Sequence, residues 1–383
     1  MSTEKGSVFD RIAERMAACG AEDMVPLHIG DTYLPPAGPA RLEGLEPGEL
    51  PGYGGYAPTK GREELRLWCA AKAREVNRIP GVDPAWIQVT GGATSALFAA
   101  MRGCLEPGAE VLLTAPWWPV ITTVCAAAGV GWREAPLYLQ AAQDPGADLE
   151  ALLEGVAGPG VKALYVSTPN NPSGVVLSRE QLEQVAAFAR RRDLLVLSDE
   201  AYEDFIFTGR EHLSIAALPG MAERTVTTFS FSKTCALSGY RLGYAVAPPP
   251  IAARLEQVVT GSLYNAPTPA QGLVLRAMER REEWFPELRE RYRLGWQAIR
   301  EELALPSSGS EGGFFLFPDV GPALGGGDVW DLVDRLLAAG VSVSPGYVSG
   351  PSYRSHIRIC FVSVEPERLR EGVRRINRVV GRG

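Results

Sequence analysis

The sequence predicts an α/β fold in which a mostly parallel central sheet lies between layers of helices. Short apolar runs alternate with longer helical patterns, first at Trp86 to Thr90 and Ser95 to Leu105, and again at Val161 to Thr168 and Leu177 to Arg192. The apolar runs are bounded by polar loops, as expected for strands buried on both faces. Unusual polar and glycine-rich segments follow these runs, at the strand ends where such sheets bind ligands.

The composition is that of a soluble globular protein. Hydrophobic residues make up 46% of the 383 residues and charged residues 22%, and no apolar run approaches the roughly 20 residues of a membrane span. The net charge of -7 disfavours a general polyanion-binding face, so neither nucleic acid nor a membrane is an expected partner. Six cysteines without a CxxC pair indicate reduced thiols, and we expect a cytoplasmic protein.

The pattern changes near residue 275, where a charged helix over Met278 to Glu302 precedes a loop rich in Ser and Gly. We therefore expect three regions. Residues 1–45 form an N-terminal arm and part of a small domain, residues 46–275 form a large domain, and residues 276–383 form a small α+β domain. The last region includes the predicted helices Val329 to Ala339 and Pro366 to Val380 and a strand near His356 to Phe361.

Lys233 has the most informative surroundings in the chain. It ends the run Thr228-Phe229-Ser230-Phe231-Ser232-Lys233, and Arg241 follows eight residues later. A lysine among hydroxyls at a strand end can hold an aldehyde cofactor as a Schiff base, while serine and arginine hold its phosphate. Only five lysines occur against thirty-three arginines, and the alternative is an ordinary surface lysine.

Residues that could bind a ligand follow two further predicted strands. Gly91-Gly92-Ala93-Thr94 follows a strand and opens a helix, where free N–H groups and the positive end of the helix dipole favour a phosphate; the alternative is a plain helix cap. Asp199 follows an apolar strand, where a carboxylate is costly unless it is paired. A protonated ring nitrogen is one possible partner, and an ordinary ion pair or cap is the other.

Two more positions allow a structural and a functional interpretation. Arg358 lies in a predicted strand, where it could bind an anion or face solvent on an edge. Trp117 and Trp118 stand between prolines, where tryptophan is more often part of a core than a ligand contact.

Taken together, the motifs resemble those of the fold-type-I PLP-dependent enzymes, and within them the class I/II aminotransferases of the aspartate aminotransferase superfamily. The resemblance spans nearly the whole chain. In order, its elements are Ile29-Gly30-Asp31, Tyr56 to Gly61, Gly91 to Thr94, Pro116-Trp117-Trp118, Asn170 to Gly174, Asp199-Glu200-Ala201-Tyr202, Ser230 to Lys233 with Arg241, and Arg358.

The resemblance implies pyridoxal 5'-phosphate (PLP) as cofactor, bound to Lys233 as a Schiff base. Asp199 would pair with the pyridine nitrogen, and Trp118 would stack on the ring. Tyr202 and Asn171 would donate hydrogen bonds to the phenolic oxygen. The residues implied to hold the phosphate are Ala93, Thr94, Ser230 and Arg241.

The same resemblance implies how substrate and subunits bind. Arg358 would hold the substrate α-carboxylate, assisted by Asn171 and the backbone of Gly30. Tyr56 would reach the cofactor phosphate of a neighbouring subunit, which implies a homodimer with shared sites. No metal is implied.

The expected activity is transfer of the amino group of an L-amino acid to a 2-oxo acid, with 2-oxoglutarate as the expected acceptor and Lys233 as general base. The alternatives are a PLP-dependent lyase, oxidase or deaminase on the same scaffold, and a non-catalytic PLP-binding module. The chain departs from the family pattern at Tyr240, where Trp is common, and at Ile121, where some aspartate-type members have a histidine. No residue matches the second arginine that binds a dicarboxylate side chain, so the substrate stays open.

Overall fold

The computed structural model describes residues 8–43, 48 and 52–381. Its helices are α1 Val8–Cys19, α2 Glu63–Glu75, α3 Ala93–Cys104, α4 Ile121–Ala128, α5 Tyr138–Gln143, α6 Leu149–Val156, α7 Arg179–Arg191, α8 Phe231–Thr234, α9 Pro249–Ser262, α10 Thr268–Glu279, α11 Arg281–Glu302, α12 Gly321–Leu324, α13 Val329–Ala338 and α14 Pro366–Val379. Its strands are β1 Val25–Pro26, β2 Ile87–Thr90, β3 Glu110–Ala115, β4 Gly131–Pro136, β5 Val161–Ser167, β6 Leu195–Asp199, β7 Thr225–Ser230, β8 Gly243–Val246, β9 Phe315–Leu316, β10 Val341–Ser342, β11 Ser344–Pro345 and β12 Ile357–Cys360.

A seven-stranded sheet with the order β2-β8-β7-β6-β5-β3-β4 forms the centre of the molecule. Every neighbouring pair is parallel except the two that involve β8, which runs antiparallel to β2 and to β7. The predicted α/β fold with a mostly parallel sheet is therefore confirmed.

Side-chain alternation along the strands builds a separate core on each face of this sheet. On one face, Tyr165 and Leu197 pack with residues of α3, α4 and α9. On the other face, Leu164 and Val196 pack with residues of α5, α6 and α7. Burying each large apolar side chain contributes about 1.5–3 kcal/mol, so the two helical layers fix the sheet from both sides.

The C-terminal part of the chain builds another core. There, α11, α13 and α14 surround a three-stranded sheet with the order β11-β12-β9. The N-terminal segment joins this core, because Ile12 and Leu27 are buried in it and β1 pairs in parallel with β10. The predicted domain boundaries stay a prediction, and the first of them, between residues 45 and 46, lies outside the described residues.

The prediction of one helix over Met278 to Glu302 is wrong. The segment contains the end of α10 and the whole of α11, separated at Arg280, whose backbone angles of -111° and 24° leave the helical range. The break lets α10 pack against α2 while α11 packs against α14. Two strands of the central sheet, β4 and β8, are additional to those expected from the sequence.

Two further expectations concern membranes and thiols. None of the helices in the described part of the chain is both long enough and apolar enough to cross a membrane. All six cysteines are free, and four of them are buried.

Substitutions at two helical glycines test how tightly the helices α11 and α6 are packed. A methyl group on Gly295 of α11 would overlap the carbonyl oxygen of Phe361, so Gly295→Ala is expected to destabilise the protein by about 1–3 kcal/mol. Gly155 in α6 has open space around it, and Gly155→Ala should stabilise by up to about 1 kcal/mol. Urea unfolding midpoints measure both; a stabilising Gly295→Ala would contradict this packing.

Candidate active site

A cavity of about 260 Å³ lies at the carboxyl ends of β6 and β7, against the C-terminal core. Eleven of the twelve residues predicted for the site line it, and Tyr56 is the exception. These eleven are Gly30, Ala93, Thr94, Trp118, Asn171, Asp199, Tyr202, Ser230, Lys233, Arg241 and Arg358. The cavity thus brings together residues that are up to 328 positions apart, from Gly30 to Arg358.

Lys233 lies in α8, the single helical turn that follows β7. Its Nζ donates a hydrogen bond to the carbonyl oxygen of Gly30 at 2.5 Å. Burial lowers the pKa of this amine, and the nearby cations Arg358 and Arg241 act in the same direction, whereas Asp31 opposes them. A lower pKa leaves more of the amine neutral, which is the form that attacks a carbonyl group.

The start of α3 and Arg241 together form an anion cradle. Gly92 caps the helix with φ of +89°, and the backbone N–H groups of Ala93 and Thr94 follow it without a side-chain cap. A Cβ on Gly92 would lie 2.8 Å from Nη2 of Arg241, so the glycine allows the guanidinium to approach the helix end. Arg241 Nη1 donates to the carbonyl oxygen of Ser238 at 2.9 Å. This combination of donors suits a phosphate.

Asp199 ends β6 and is buried. Its Oδ2 accepts a hydrogen bond from the Tyr165 hydroxyl at 2.9 Å, and its Oδ1 accepts one from the Ala201 backbone N–H at 3.3 Å. Burial raises the pKa of the carboxyl group to about 6, although both hydrogen bonds act to lower it. A buried carboxylate that faces a cavity favours a cationic partner, such as a protonated ring nitrogen.

Glu200 anchors the loop that connects Asp199 to Tyr202. It is fully buried, and its Oε1 accepts hydrogen bonds from the hydroxyls of Ser198 at 2.8 Å and Ser214 at 2.7 Å. Its Oε2 lies 2.7 Å from Nε2 of His212. These contacts satisfy the buried carboxylate and fix the backbone on which Asp199 and Tyr202 lie.

Arg358 is a buried cation in β12. Its Nη2 donates to the carbonyl oxygen of His28 at 2.9 Å and its Nη1 to Oδ1 of Asn171 at 3.3 Å, while its Nε has no hydrogen-bond partner. The guanidinium also lies 4.4 Å from the centroid of the Phe315 ring. Burial lowers its pKa, as expected for a charge held in an apolar wall. Such a cation can bind a carboxylate in the cavity.

Some of the aromatic residues near the site line the cavity, and others are buried in the core. Trp118 lines the cavity, whereas Trp117 is buried and donates its indole N–H to the carbonyl oxygen of Val348 at 3.2 Å. Tyr202 lines the cavity and packs against Phe314 with 5.1 Å between ring centroids. Trp118 is therefore the tryptophan of the pair that can contact a ligand.

Tyr56 lies apart from these residues. Its side chain is 87% exposed and packs edge-on against Tyr264, with ring centroids 5.0 Å apart. Within a single chain it is therefore placed on the surface rather than in the cavity.

Several lining residues were not found by sequence reasoning. Phe315 lies in the run Gly312-Gly313-Phe314-Phe315 of the expected small domain, and this run has no local signal of ligand binding. No sequence signal pointed to Phe9, because only tertiary packing brings α1 to the cavity, whereas the nearness of Ser238 to the predicted Arg241 is a signal that could have found it. The full set of additional lining residues is Phe9, Leu97, Val120, Ala201, Ser232, Ser238 and Phe315.

Comparison with known sequences agrees with this geometry. The sequence profile of the family described as aminotransferase class I and II matches residues 22–376. The chain is 32% identical over 373 residues to an aspartate aminotransferase of Pyrococcus abyssi, which covers 95% of this chain and 93% of that protein. It is 34% identical over 363 residues to an arginine–pyruvate transaminase of Pseudomonas aeruginosa, covering 93% and 89%.

Solved structures of similar proteins have the same fold. Aspartate aminotransferase from Thermus thermophilus with maleate superposes with a TM-score of 0.87 at 29% identity, covering 98% of this chain and 97% of that chain. N-succinyldiaminopimelate aminotransferase from Mycobacterium tuberculosis gives a TM-score of 0.85 at 29% identity, with the same coverage. The fold-type-I resemblance is therefore confirmed, and the chain belongs to the aminotransferase class I and II family and is an aminotransferase.

Proposed function

We propose that this aminotransferase binds PLP through Lys233 and transfers the amino group of an L-amino acid to a 2-oxo acid, with 2-oxoglutarate as the expected acceptor. The observation that carries the proposal is the convergence of Lys233, Asp199 and Arg358 on one cavity. These side chains offer an amine nucleophile, a buried carboxylate and a buried cation, which match the carbonyl carbon, the ring nitrogen and a substrate carboxylate.

The residues of the cavity fit PLP. Arg241, Ser230 and the N-terminal turn of α3 at Ala93 and Thr94 would hold the phosphate, and Asp199 would hold the ring nitrogen. Trp118 would cover one face of the ring, and the phenolic oxygen would accept hydrogen bonds from Tyr202 and Asn171. When bound, PLP supplies an electron sink for the bond that breaks at the substrate Cα.

The protein itself binds the substrate and moves the proton. Arg358 would hold the α-carboxylate through two parallel hydrogen bonds, with Asn171 and the Gly30 backbone beside it. Lys233 would then take the proton from the substrate Cα and deliver it to C4′ of the cofactor, on the other side of the substrate nitrogen. Its lowered pKa supports this role, because the neutral amine is the form that accepts a proton.

The lining favours donors with apolar or aromatic side chains. Its cations are Lys233, Arg241 and Arg358, and each has a proposed partner already, so the described lining offers no further cation for a second carboxylate. Phe9, Leu97, Val120 and Phe315 supply apolar surface instead. The relatives are named for different substrates, aspartate and arginine among them, so their names do not identify the amino acid that donates the amino group here.

We also propose a homodimer in which each subunit completes the site of the other. The large exposed surface of Tyr56 supports this arrangement, since a neighbouring subunit could cover it.

The proposed regional organisation is an arm over residues 1–45, a large domain over 46–275 and a small domain over 276–383. The shared core of α1, α11, α13 and α14 supports the grouping of the arm with the small domain. We further propose a cytoplasmic location, which the six free cysteines support.

Single additions of amino acids to the PLP-loaded protein test the reaction and its donor. We expect leucine or phenylalanine to convert the visible band of the cofactor at least about tenfold faster than aspartate, because the lining offers apolar contact rather than a second cation. Addition of a 2-oxo acid should restore the band, and comparison of 2-oxoglutarate with pyruvate identifies the acceptor. Release of ammonia or consumption of oxygen would instead support a lyase or an oxidase.

Replacing the lysine tests its assigned role in the same assay. Lys233→Ala should lower turnover at least about a thousandfold, because both the covalent anchor and the general base are lost. The matched control is Lys162→Ala, which removes an exposed lysine of β5 and should keep wild-type turnover. Substantial transamination by Lys233→Ala would overturn the assignment.

A conservative change of the carboxylate-binding cation gives a separate test. Arg358→Lys keeps the charge but loses the two-pronged geometry, so kcat/KM should fall about 10- to 100-fold for both the amino acid and the 2-oxo acid. PLP affinity should stay within about twofold. The exposed Arg354 provides the control Arg354→Lys. Unchanged kcat/KM with Arg358→Lys would exclude Arg358 as the carboxylate ligand.

Light scattering tests the assembly. We expect a mass of about twice the 41.2 kDa of one chain.

Tyr56→Phe should weaken PLP binding about fivefold, since it removes one hydrogen bond to the phosphate. Tyr347→Phe, at a half-buried tyrosine packed against Trp330, should leave PLP binding unchanged. A fully active single-chain species would refute the shared site.

A further inference from the structure

Tyr165 lies in the middle of β5 and makes the contact to Asp199 described above. Its ring is fully buried in the core between the sheet and α3, α4 and α9. In the parallel register, Tyr165 lies opposite Leu197 and Ser167 lies opposite Asp199. Because side chains alternate along a strand, Tyr165 and Asp199 project from the same face of the sheet, and the long tyrosine side chain reaches diagonally across to the carboxylate.

The direction of this hydrogen bond is set by the two groups. Burial raises the pKa of the Tyr165 hydroxyl well above its usual value, so the hydroxyl stays protonated and donates. Asp199 Oδ2 accepts at 2.9 Å. A hydroxyl that donates to a carboxylate in a dry environment forms one of the stronger hydrogen bonds in proteins.

Within the described residues, Tyr165 is the one side chain that donates a hydrogen bond to Asp199. The other donor to this carboxylate is the Ala201 backbone N–H at 3.3 Å. Ile121, the departure from the family pattern noted in the sequence, is buried in α4, and its side chain has no hydrogen-bond donor.

A buried polar network holds β5 in place around this contact. The carbonyl oxygen of Tyr165 accepts a hydrogen bond from Thr114 Oγ1 at 2.8 Å. The hydroxyl of Tyr138 lies 2.9 Å from the same Thr114 oxygen and accepts a hydrogen bond from the Ser167 N–H at 2.6 Å. The strand segment that carries Tyr165 is thereby fixed at two backbone groups, which helps to fix the position of the tyrosine hydroxyl.

We propose that Tyr165 is a positioning residue that holds the Asp199 carboxylate ionised and aimed at the ring nitrogen of the cofactor. The inference rests on the proposed function, because it concerns the carboxylate assigned to the PLP ring. Tyr165 acts through Asp199 and does not line the cavity. Its loss should therefore weaken cofactor binding and the chemical step, while leaving the carboxylate site at Arg358 intact.

A double-mutant cycle on PLP affinity tests this role. The dissociation constant of PLP is measured by titrating the apoprotein for wild type, Tyr165→Phe, Asp199→Asn and the double variant. Tyr165→Phe removes the hydroxyl and keeps the ring, and it should weaken PLP binding about tenfold in the wild-type background. In the Asp199→Asn background the same change should cost less than about twofold, because the charged acceptor is gone.

Kinetic constants and a matched control distinguish a positioning role of the Tyr165 hydroxyl from a general effect on the packing of the core. Tyr165→Phe should lower kcat about tenfold while KM for the amino acid stays within about twofold. Tyr244→Phe removes the hydroxyl of another buried tyrosine of the central sheet, one that stacks on Phe229, and should change neither constant by more than about twofold. Insertion of 3-fluorotyrosine at position 165, which keeps the hydroxyl and the fold, should retain PLP affinity within about twofold.

Provided that the wild-type protein binds PLP, any one of three results would overturn the inference about Tyr165 and leave the proposed function unaffected. These are an unchanged PLP affinity in Tyr165→Phe, an equal loss in the wild-type and Asp199→Asn backgrounds, and a loss with 3-fluorotyrosine as large as that with phenylalanine. Failure of the wild-type apoprotein to bind PLP would instead overturn the proposed function, and the inference with it.

Discussion

The site depends on the register of the parallel strands β5, β6 and β7. In this register Ser167, Asp199 and Thr228 lie side by side. The three strands therefore end at one edge of the sheet, and the loops that follow them must share the same space. Helices packed on both faces hold that edge fixed, so the side chains at the strand ends keep a constant geometry without relying on flexible loops.

Charges buried at this edge are stable because each has specific partners. Asp199 has Tyr165 and the Ala201 backbone, and Glu200 has two serine hydroxyls and His212. Leaving such groups unpaired would cost several kcal/mol, so the polar network that satisfies them is also what keeps the site rigid. Arg358 differs, because its Nε is left without a partner beside a cavity where an anionic ligand can bind.

The C-terminal core closes the site from the other side. The short β1–β10 pairing brings the N-terminal segment against the last third of the chain, and β12 carries Arg358 beside it. As a result Phe9 and Gly30, near the start of the chain, meet Phe315 and Arg358 in one wall. The two ends of the chain thus form the part of the cavity that would contact a substrate, and the central sheet forms the part that would contact the cofactor.

By itself the sequence determined the fold class, the order of most elements and the motifs at the strand ends, because strand periodicity, glycine at a tight turn and charge after an apolar run are local signals. Eleven predicted residues meet in one cavity for that reason. Tertiary structure alone decided the break at Arg280, the presence of Phe9 in the wall and the contact of Tyr165 with Asp199. Each of these depends on which residues distant in the chain pack together, and such contacts leave no periodic signal in the sequence.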